Sequence, residues 1–524
     1  MSGTTDNLAG LAAAVLQPGF VGATRPPDWV RRWLGEGLGG VVLFARNVID
    51  NEQVATLTAA MRAERPDVLV AIDEEAGDVT RLESRRGSSR PGNLALGAVN
   101  DPDLTEAVAR DLGTELAAVG ITLNYAPDAD VNADPDNPVI GVRSFGADPG
   151  LVARHTAAWV RGLQSAGVAA CAKHFPGHGD TSVDSHLDIP RIAVPRTRLE
   201  ACELPPFRAA IAAGVQAVMT GHLLVPAIDD EWPATLSRRV LTDLLREELG
   251  FQGVVITDAI EMRAVTHRYG FTGAAVRALV AGADAICVGG EHADEADAER
   301  LRDAIVEAVT TGVLPEERLV EAAKRVGQLA AWSSTARAGR SAWDGPDPEG
   351  SPLGLAAARR AVRLTVAPDA SGLPLAGPAH VVEFAPPDNI ATGSDTPWGV
   401  GAPLAALLPG TTTARLGAEE LGVDEPGANG SGTDGRLSAA VLAPAHGRPL
   451  VLVVRDLHRH RWMSVAVRRI LAGRPDAVVV EIGVPETVVG QVHLATYGAS
   501  WVAGRAAAEV LTGRATADVG AASR

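Results

Sequence analysis

The sequence predicts an α/β protein in which a (β/α)8 barrel is followed by a smaller α/β sandwich. Three observations carry this prediction. Eight short apolar runs alternate with helical patterns over the first 332 residues, polar side chains stand where those runs end, and a stretch of linker composition follows. Eight strand–helix units are the number that closes a barrel of this type. The predicted domains are residues 1–332 for the barrel, 333–352 for the linker and 353–524 for the sandwich.

The predicted barrel strands are rich in apolar and β-branched residues, as strands buried on both faces are. They are Ala12–Gln17, Gly39–Phe44, Asp67–Asp73, Ile121–Ala126, Val168–His174, Gln216–Gly221, Gly253–Asp258 and Ala283–Val288. The helical patterns between them include Asn51–Glu64, Val152–Ser165 and Leu236–Leu249. The first and last of these open on N-cap residue types, Asp50 or Asn51 and Ser237. Such short connections imply parallel pairing.

The second domain follows a stretch rich in Ser, Gly, Pro and Asp, which is linker composition. Its predicted strands are Ala379–Phe384, Leu450–Arg455, Ala477–Gly483 and Ala495–Gly498, and its predicted helices are Gly354–Val362, Ser464–Ala472 and Val502–Leu511. Gly422–Gly435 is rich in Gly, Asp and Asn and is predicted to be a mobile surface loop. His458 and His460 are interpreted as part of a solvated helix start.

Composition and charge argue against several classes of partner. The 47 basic and 64 acidic residues give a net charge of −17, which argues against nucleic acid and against an anionic membrane surface. No apolar run approaches the length of a membrane span, and no basic residue precedes the first apolar stretch, so the sequence predicts a cytoplasmic protein. Cys171, Cys202 and Cys287 lie in apolar runs and are interpreted as buried, reduced thiols.

Polar residues stand at the ends of five predicted barrel strands. In chain order they are Asp73, Asp128 with Asp130, Lys173 with His174, His222, and Asp258. Because such a barrel carries its chemistry at the carboxyl ends of its strands, these residues predict one shared pocket. For Asp128, Asp130 and His222, structural hydrogen bonding is the favoured interpretation. Trp232 is interpreted either as a surface that stacks on a sugar or as a loop anchor.

Residues 173–186, KHFPGHGDTSVDSH, concentrate more titratable chemistry than any other stretch. Asp184 and His186 are two residues apart, so the carboxylate can orient the imidazole, which makes His186 a candidate proton shuttle. Lys173 is one of two lysines in a chain with 45 arginines, and its compact ammonium suits a hydroxyl or carboxylate at close quarters. His174, His178 and His186 with Asp180 and Asp184 also resemble a metal cluster.

Four further motifs precede this segment in order: GGVVLFARN at 39–47, IDEEAGDVTRL at 72–82, NYAPDADV at 124–131 and NPVIGVRSFG at 137–146. Together the series resembles the glycoside hydrolase family 3 β-N-acetylglucosaminidases that act in peptidoglycan recycling, over most of the first domain. One position departs from the family. Glu75 to Asp78 read EAGD where the family commonly has EGGR, which exchanges a basic residue for an acidic one. The exchange leaves open the affinity for an anionic flanking group.

The resemblance implies a retaining exo-β-N-acetylglucosaminidase that needs no cofactor and no metal. Its substrate would be non-reducing terminal GlcNAc on peptidoglycan fragments or chitooligosaccharides. Asp258 would be the nucleophile, and Asp184 with His186 would form the acid/base dyad. The implied sugar-binding residues are Asp73, Arg81, Arg143, Lys173 and His174. Two alternatives remain: a β-N-acetylglucosaminide phosphorylase of the same family, and a catalytically idle barrel that binds amino sugars.

Overall fold

The chain forms two compact units in the computed structural model, which describes residues 2–181, 189–290, 292–337, 350–368, 370, 373–387, 396–422 and 435–520. The first unit comprises Met1–Glu75, Asp101–Ile140 and Ser144–Pro348. The second comprises Ala76–Asn100, Gly141–Arg143 and Glu349–Arg524. The sequence prediction placed residues 76–100 and 141–143 in the barrel. In the structure they belong to the second unit, because the residues that pack against them follow residue 349.

The first unit contains, within the described residues, the eight predicted strands in the predicted order. They are β1 (Leu16–Pro18), β2 (Gly40–Leu43), β3 (Leu69–Ile72), β4 (Leu123–Asn124), β5 (Ala169–Phe175), β6 (Ala217–Thr220), β7 (Val254–Thr257) and β8 (Ile286–Val288). β2 to β7 pair in parallel with their neighbours in chain order, and β1 pairs in parallel with β8. A parallel bridge between Ile256 and Ala285 joins β7 to β8. This curled parallel sheet confirms the barrel prediction.

Helices connect the strands, and several of them begin where a capping side chain accepts from one of the first free amides. Asp50 accepts from the Gln53 amide at 2.8 Å and caps Asn51–Glu64, as the sequence predicts. The helices of this unit are Ser2–Ala14, Asp28–Gly35, Asn51–Glu64, Pro102–Ala118, Pro149–Ser165, Arg196–Ala201, Leu204–Ala212, Arg239–Glu248, Arg263–Tyr269, Phe271–Ala281, Glu295–Thr310 and Glu316–Arg337, with short 3-10 turns at Ala45–Asn47 and Ala234–Leu236. Among the described residues, none of the helices combines the length and apolarity that a membrane crossing needs.

The barrel core explains why the strands read as continuous apolar runs. Every residue of β1 to β8 is buried, because helices cover the outside while side chains fill the inside. The interior includes Val42, Leu69, Leu123, Met219 and Ile256. The predicted linker begins later than expected, since the helix Glu316–Arg337 continues through the predicted boundary and buries Ser333.

The second unit is built on a seven-stranded sheet in the order β11-β10-β12-β13-β14-β9-β15. These strands are β9 (Arg363–Val366), β10 (His380–Phe384), β11 (Thr412–Leu416), β12 (Leu450–Val454), β13 (Val478–Glu481), β14 (Val492–Ala495) and β15 (Asp518–Gly520). β9 runs antiparallel to β14 and all other pairs are parallel. Its helices are Asn93–Val99, Pro352–Ala361, Gly401–Leu407, Ala418–Leu421, Ser438–Leu442, Arg461–Gly473 and Trp501–Leu511, with a 3-10 turn at Gly141–Arg143. The predicted loop Gly422–Gly435 lies mostly outside the described residues.

Candidate active site

The carboxyl ends of the barrel strands carry the polar residues that the sequence places there. Asp73 directly follows β3, Lys173 and His174 lie in the last half of β5, and Asp258 directly follows β7. Asp128, beyond β4, forms a parallel bridge with Lys173. Because neighbouring parallel strands end at the same rim, the fold gathers these side chains on one face of the barrel.

Lys173 holds two carboxylates together at this rim. Its Nζ atom lies 2.6 Å from Asp73 Oδ1 and 2.6 Å from Glu75 Oε1. The side chains of Lys173 and Glu75 are each 3% exposed, whereas that of Asp73 is 22% exposed. The sequence did not single out Glu75, although its position two residues after Asp73 was an available signal. Of the two carboxylates, Asp73 is the more exposed and is the one that can accept a hydrogen bond from a sugar hydroxyl.

Replacing Lys173 by Met is expected to lower kcat/KM by about 100-fold or more, because two close carboxylates lose their shared counter-charge. Lys173→Arg should fail to restore activity, since a planar guanidinium does not fit the space of a compact ammonium. Steady-state kinetics on an aryl glycoside measures both effects. Lys324→Met is the matched control and should behave as wild type. A loss of less than about threefold in Lys173→Met would contradict the role.

His174 is oriented by Asp130. The Nδ1 atom of His174 lies 2.7 Å from Asp130 Oδ2, and Asp130 Oδ1 accepts from the amides of His174 at 3.1 Å and His178 at 2.7 Å. Asp128 Oδ1 in turn accepts from the Asp130 amide at 3.0 Å. A carboxylate oxygen accepts, so Nδ1 carries the proton of this bond, which fixes the orientation of the His174 ring. The structural interpretation of Asp128 and Asp130 is consistent with these bonds.

Asp128, Asp130 and His174 also bring three possible metal ligands within 4.8 Å of one another. Hydrogen bonds occupy Nδ1 of His174 and both carboxylate oxygens of Asp130, since His174 Nδ1 donates to Asp130 Oδ2 and Asp130 Oδ1 accepts from two amides. His178 Nδ1 lies 3.0 Å from the Thr181 hydroxyl. Asp184 and His186, the other members of the predicted metal alternative, lie outside the described residues.

We therefore expect a chelator such as EDTA to leave the turnover rate unchanged, because sugar and proton roles require no metal at these residues. The measurement is turnover before and after dialysis against the chelator. Loss of activity with recovery on adding zinc would instead favour the metal alternative.

Asp258 lies half-buried at the end of β7. Its amide donates to the Thr220 carbonyl at 3.1 Å, and its Oδ1 accepts from the Ala259 amide at 2.8 Å. His222 contacts Ala259, the residue after Asp258, since its Nε2 lies 3.0 Å from the Ala259 carbonyl. Its Nδ1 lies 2.9 Å from the Thr235 hydroxyl. His222 is fully buried, so structural hydrogen bonding accounts for it. The backbone that carries Asp258 is thereby fixed by β6 and by the residue His222 that follows it.

The predicted dyad, Asp184 with His186, lies outside the described residues, but the chain on both sides of it is anchored. Before it, the His178 carbonyl accepts from Asn137 Nδ2 at 2.9 Å, and Gly179 packs so closely on the Val131 carbonyl that no side chain fits. After it, the Ile192 amide donates to the Leu224 carbonyl at 2.9 Å. The two ends of the dyad segment are therefore set by the barrel.

Glu203 is a buried carboxyl that the sequence did not reveal. It follows the helix Arg196–Ala201 and lies against Gly177, where a Cβ atom would come within 2.5 Å of Glu203 Oε2. Among the described residues, neither carboxyl oxygen of Glu203 has a hydrogen-bond partner. Burial, together with the negative charges of Asp130 and Asp180, raises the pKa of Glu203 from 4.5 to about 8. No local sequence pattern indicates a buried carboxyl of this kind, because its burial depends on contacts with residues that are distant in the sequence.

The free energy of unfolding is expected to fall between about pH 4.5 and pH 8 because of Glu203. Below about pH 4.5 the Glu203 carboxyl is protonated in both the folded and the unfolded protein. Between about pH 4.5 and pH 8 the unfolded chain releases this proton while the folded protein keeps it, which favours unfolding. The effect is on the order of 5 kcal/mol over this window. Denaturant unfolding of the wild type and Glu203→Gln at several pH values measures it. Parallel curves for the two proteins would contradict the assignment.

Arg81 and Arg143 belong to the second unit. Arg143 is buried in the turn Gly141–Arg143, and its carbonyl accepts from Asn93 Nδ2 at 2.7 Å. Arg81 is half-buried in an irregular segment. Trp232, of the first unit, stacks on Tyr269 at 5.2 Å between ring centroids, and the Arg277 guanidinium covers it at 3.7 Å. These contacts favour the loop-anchor interpretation of Trp232.

A parallel (β/α)8 barrel with a carboxylate at the end of β7 and a lysine-bridged carboxylate pair at its rim is the arrangement of a barrel glycosidase. Comparison with known proteins places the chain within that class. Residues 19–329 match the glycosyl hydrolase family 3 N terminal domain, and the chain belongs to this family.

Curated relatives resemble between half and three fifths of the chain. A beta-hexosaminidase A of Pseudoalteromonas piscicida is 35% identical over 330 residues, which are 58% of this chain and 55% of the relative. The chain thus spans about half the length of that protein. A beta-hexosaminidase of Stenotrophomonas maltophilia strain K279a is 42% identical over 270 residues, which are 50% of this chain and 78% of the relative.

Solved structures resemble both units. A glycoside hydrolase family 3 beta-N-acetylglucosaminidase from Paenibacillus sp. strain FPU-7 matches with a TM-score of 0.85 and 33% identity over 97% of each chain. A beta-glucoside phosphorylase shares the fold at a TM-score of 0.75 with 19% identity, over 99% of this chain and 97% of that one.

Proposed function

We propose that this protein is a retaining exo-β-N-acetylglucosaminidase. Its substrates would be peptidoglycan fragments or chitooligosaccharides, from which it removes the non-reducing terminal GlcNAc. The observation that carries the proposal is the placement of Asp258 at the end of β7, on the rim that also holds the Lys173, Asp73 and Glu75 group. The similarity to a beta-N-acetylglucosaminidase along nearly the whole chain supports the choice of sugar.

Asp258 is proposed as the nucleophile. Its carboxylate attacks the anomeric carbon through an oxocarbenium-like transition state, and the bond to the leaving oxygen breaks as the bond to Asp258 forms. Water later attacks the same carbon from the face that the leaving group vacated, and Asp258 departs as a carboxylate. Two displacements at one carbon give net retention. The small Ala259 next to the nucleophile leaves room for a 2-acetamido group.

His186 is proposed as the proton carrier, with Asp184 orienting its ring. The imidazole donates a proton to the leaving oxygen in the first step and removes one from water in the second. An imidazole has an unperturbed pKa of about 6.5 and needs no strong burial to do this near neutral pH. The residues proposed to bind the sugar are Asp73, Arg81, Arg143, Lys173 and His174. The Asp130 carboxylate orients the ring of His174.

The experiment that tests the function is turnover of an aryl β-N-acetylglucosaminide, with the anomeric form of the first product followed by NMR. We expect release of β-GlcNAc before mutarotation. Release of the α-anomer would contradict retention. Absence of turnover with GlcNAc still bound would favour the idle-barrel alternative.

The same assay separates hydrolysis from phosphorolysis when inorganic phosphate is added. A neutral imidazole does not repel phosphate as a carboxylate would, so the dyad permits phosphate as an acceptor. We expect free sugar as the product with and without phosphate, because water requires no dedicated binding site. Formation of GlcNAc-1-phosphate would instead identify the protein as a phosphorylase.

A further inference from the structure

Asp78, the acidic residue that departs from the family pattern, is paired inside the second unit. Its Oδ2 lies 2.7 Å from Arg455 Nη2, and its Oδ1 accepts from the Ala499 amide at 2.8 Å. The side chain of Asp78 is 3% exposed and that of Arg455 is 15% exposed. Arg455 directly follows β12, and Ala499 follows β14. The segment 76–100 is thus attached to the carboxyl edge of the parallel sheet.

The same segment is attached to the second unit at further points. The Val502 amide donates to the Ser88 carbonyl at 3.4 Å, and Arg363 Nη2 donates to the Ala98 carbonyl at 2.9 Å. A side chain at Gly87 would meet the Pro397 carbonyl at 2.9 Å. Residues 76–100 are therefore held along their length by elements that follow residue 349.

Arg81 lies on the part of this segment that has no helix or strand of its own. Residues 80–89 are tied to one another, since the Glu83 amide donates to the Thr80 hydroxyl at 3.1 Å and Glu83 Oε2 accepts from the Ser89 amide at 2.7 Å. Asp78 attaches the adjoining backbone to the sheet through Arg455. Only Val79 and Thr80 separate Asp78 from Arg81 along the chain, and Val79 forms a bridge with Ala76, so the position of Asp78 constrains that of Arg81.

We propose that the Asp78–Arg455 ion pair of the second unit is a positioning pair for Arg81. This inference rests on the proposed function, in which Arg81 contacts the sugar. Arg143 is attached to the same segment, because its backbone carbonyl accepts a hydrogen bond from Asn93 Nδ2. The basic residue that the family commonly has at position 78 would repel Arg455, so this ion pair requires the acidic residue that this chain has there.

The test compares Arg455→Met, Arg455→Lys and the matched control Arg415→Met. Arg415 also pairs with a buried carboxylate of this unit, Glu383, at 2.8 Å. For an aryl β-N-acetylglucosaminide we expect Arg455→Met to raise KM about tenfold while kcat stays within about threefold, because binding common to ground and transition states is lost. Arg455→Lys should recover most of the KM, since it keeps the charge. Arg415→Met should leave KM unchanged, even where thermal unfolding shows a similar loss of stability.

Binding of free GlcNAc, measured by calorimetry, gives a second readout that does not need turnover. We expect Arg455→Met to weaken it by about tenfold. An unchanged KM and unchanged GlcNAc binding in Arg455→Met would overturn the inference, as would equal losses in Arg415→Met. A wild type that binds GlcNAc without turnover would overturn the proposed function alone, and one that binds no GlcNAc would overturn both.

Discussion

Asp258→Asn is expected to fold normally and to lose about 10,000-fold or more in kcat, the scale seen when a catalytic nucleophile is removed. The amide keeps the shape of the side chain and can still accept from the Ala259 amide. What it loses is the carboxylate that forms the bond to the anomeric carbon. Steady-state kinetics and far-UV circular dichroism of the purified variant measure activity and folding separately.

A matched control for this substitution is Asp229→Asn. Asp229 is a buried carboxylate of the same barrel, and it accepts from the Ser237 hydroxyl at 2.6 Å and from the amides of Glu231 and Trp232. We expect this variant to lose stability and to keep its kcat. Activity of Asp258→Asn within about tenfold of wild type would rule out the nucleophile assignment.

His186→Ala is expected to lose far more activity on a natural disaccharide than on an aryl glycoside with a good leaving group. A sugar alkoxide needs a proton as it departs, whereas an activated phenolate leaves without one. We expect a loss of about 1,000-fold on the disaccharide and about tenfold on the aryl substrate. Asp184→Ala should show a milder version of the same pattern, because it removes only the group that orients the ring.

The ratio of the two losses is the decisive quantity for His186. Equal losses on both substrates would mean that His186 does not protonate the leaving group, and the dyad would then be reassigned to sugar binding. Added azide serves as a control, since a small anionic nucleophile that needs no general base should restore turnover of the glycosyl-enzyme in His186→Ala.

The sequence predicted the barrel well because burial on both faces leaves a strong local signal. All eight apolar runs contain a strand, and the helix Asn51–Glu64 has the predicted bounds. The first run was placed too early. Ala12 to Ala14 belong to the helix Ser2–Ala14, because alanine favours helix and an apolar run alone does not distinguish a buried helix end from a strand.

The second unit was predicted less completely, because three of its strands are poorly buried or short. Thr412–Leu416 is mostly exposed, Arg363–Val366 is half-buried, and Asp518–Gly520 has only three residues. The predicted strand Ala495–Gly498 overlaps only the end of Val492–Ala495. β11 and β15 are the two edge strands of the sheet and β9 lies beside β15. Such strands carry no continuous apolar run, so pattern reasoning assigns them to loops.

The candidate site shows the same division between local and distant information. The sequence predicted that Asp73, Lys173 and Asp258 stand at or near strand ends, and the strands end at or near those positions. The partners that tune them, such as Glu75 on Lys173 and Asp130 on His174, depend on which charges meet in the folded protein. The pairing of Asp78 with Arg455 joins residues 377 positions apart, and no local pattern could have indicated it.

The scarcity of lysine has a practical consequence for handling this enzyme. Lys173 is buried with its ammonium held by two carboxylates, whereas Lys324 is exposed on the helix Glu316–Arg337. Amine-reactive reagents attack the uncharged, accessible amine, so a dye or a resin linker should attach at Lys324 and, apart from the α-amino group, at no other position. The protein can thus be labelled or immobilised through one known surface residue while the lysine of its rim stays unmodified.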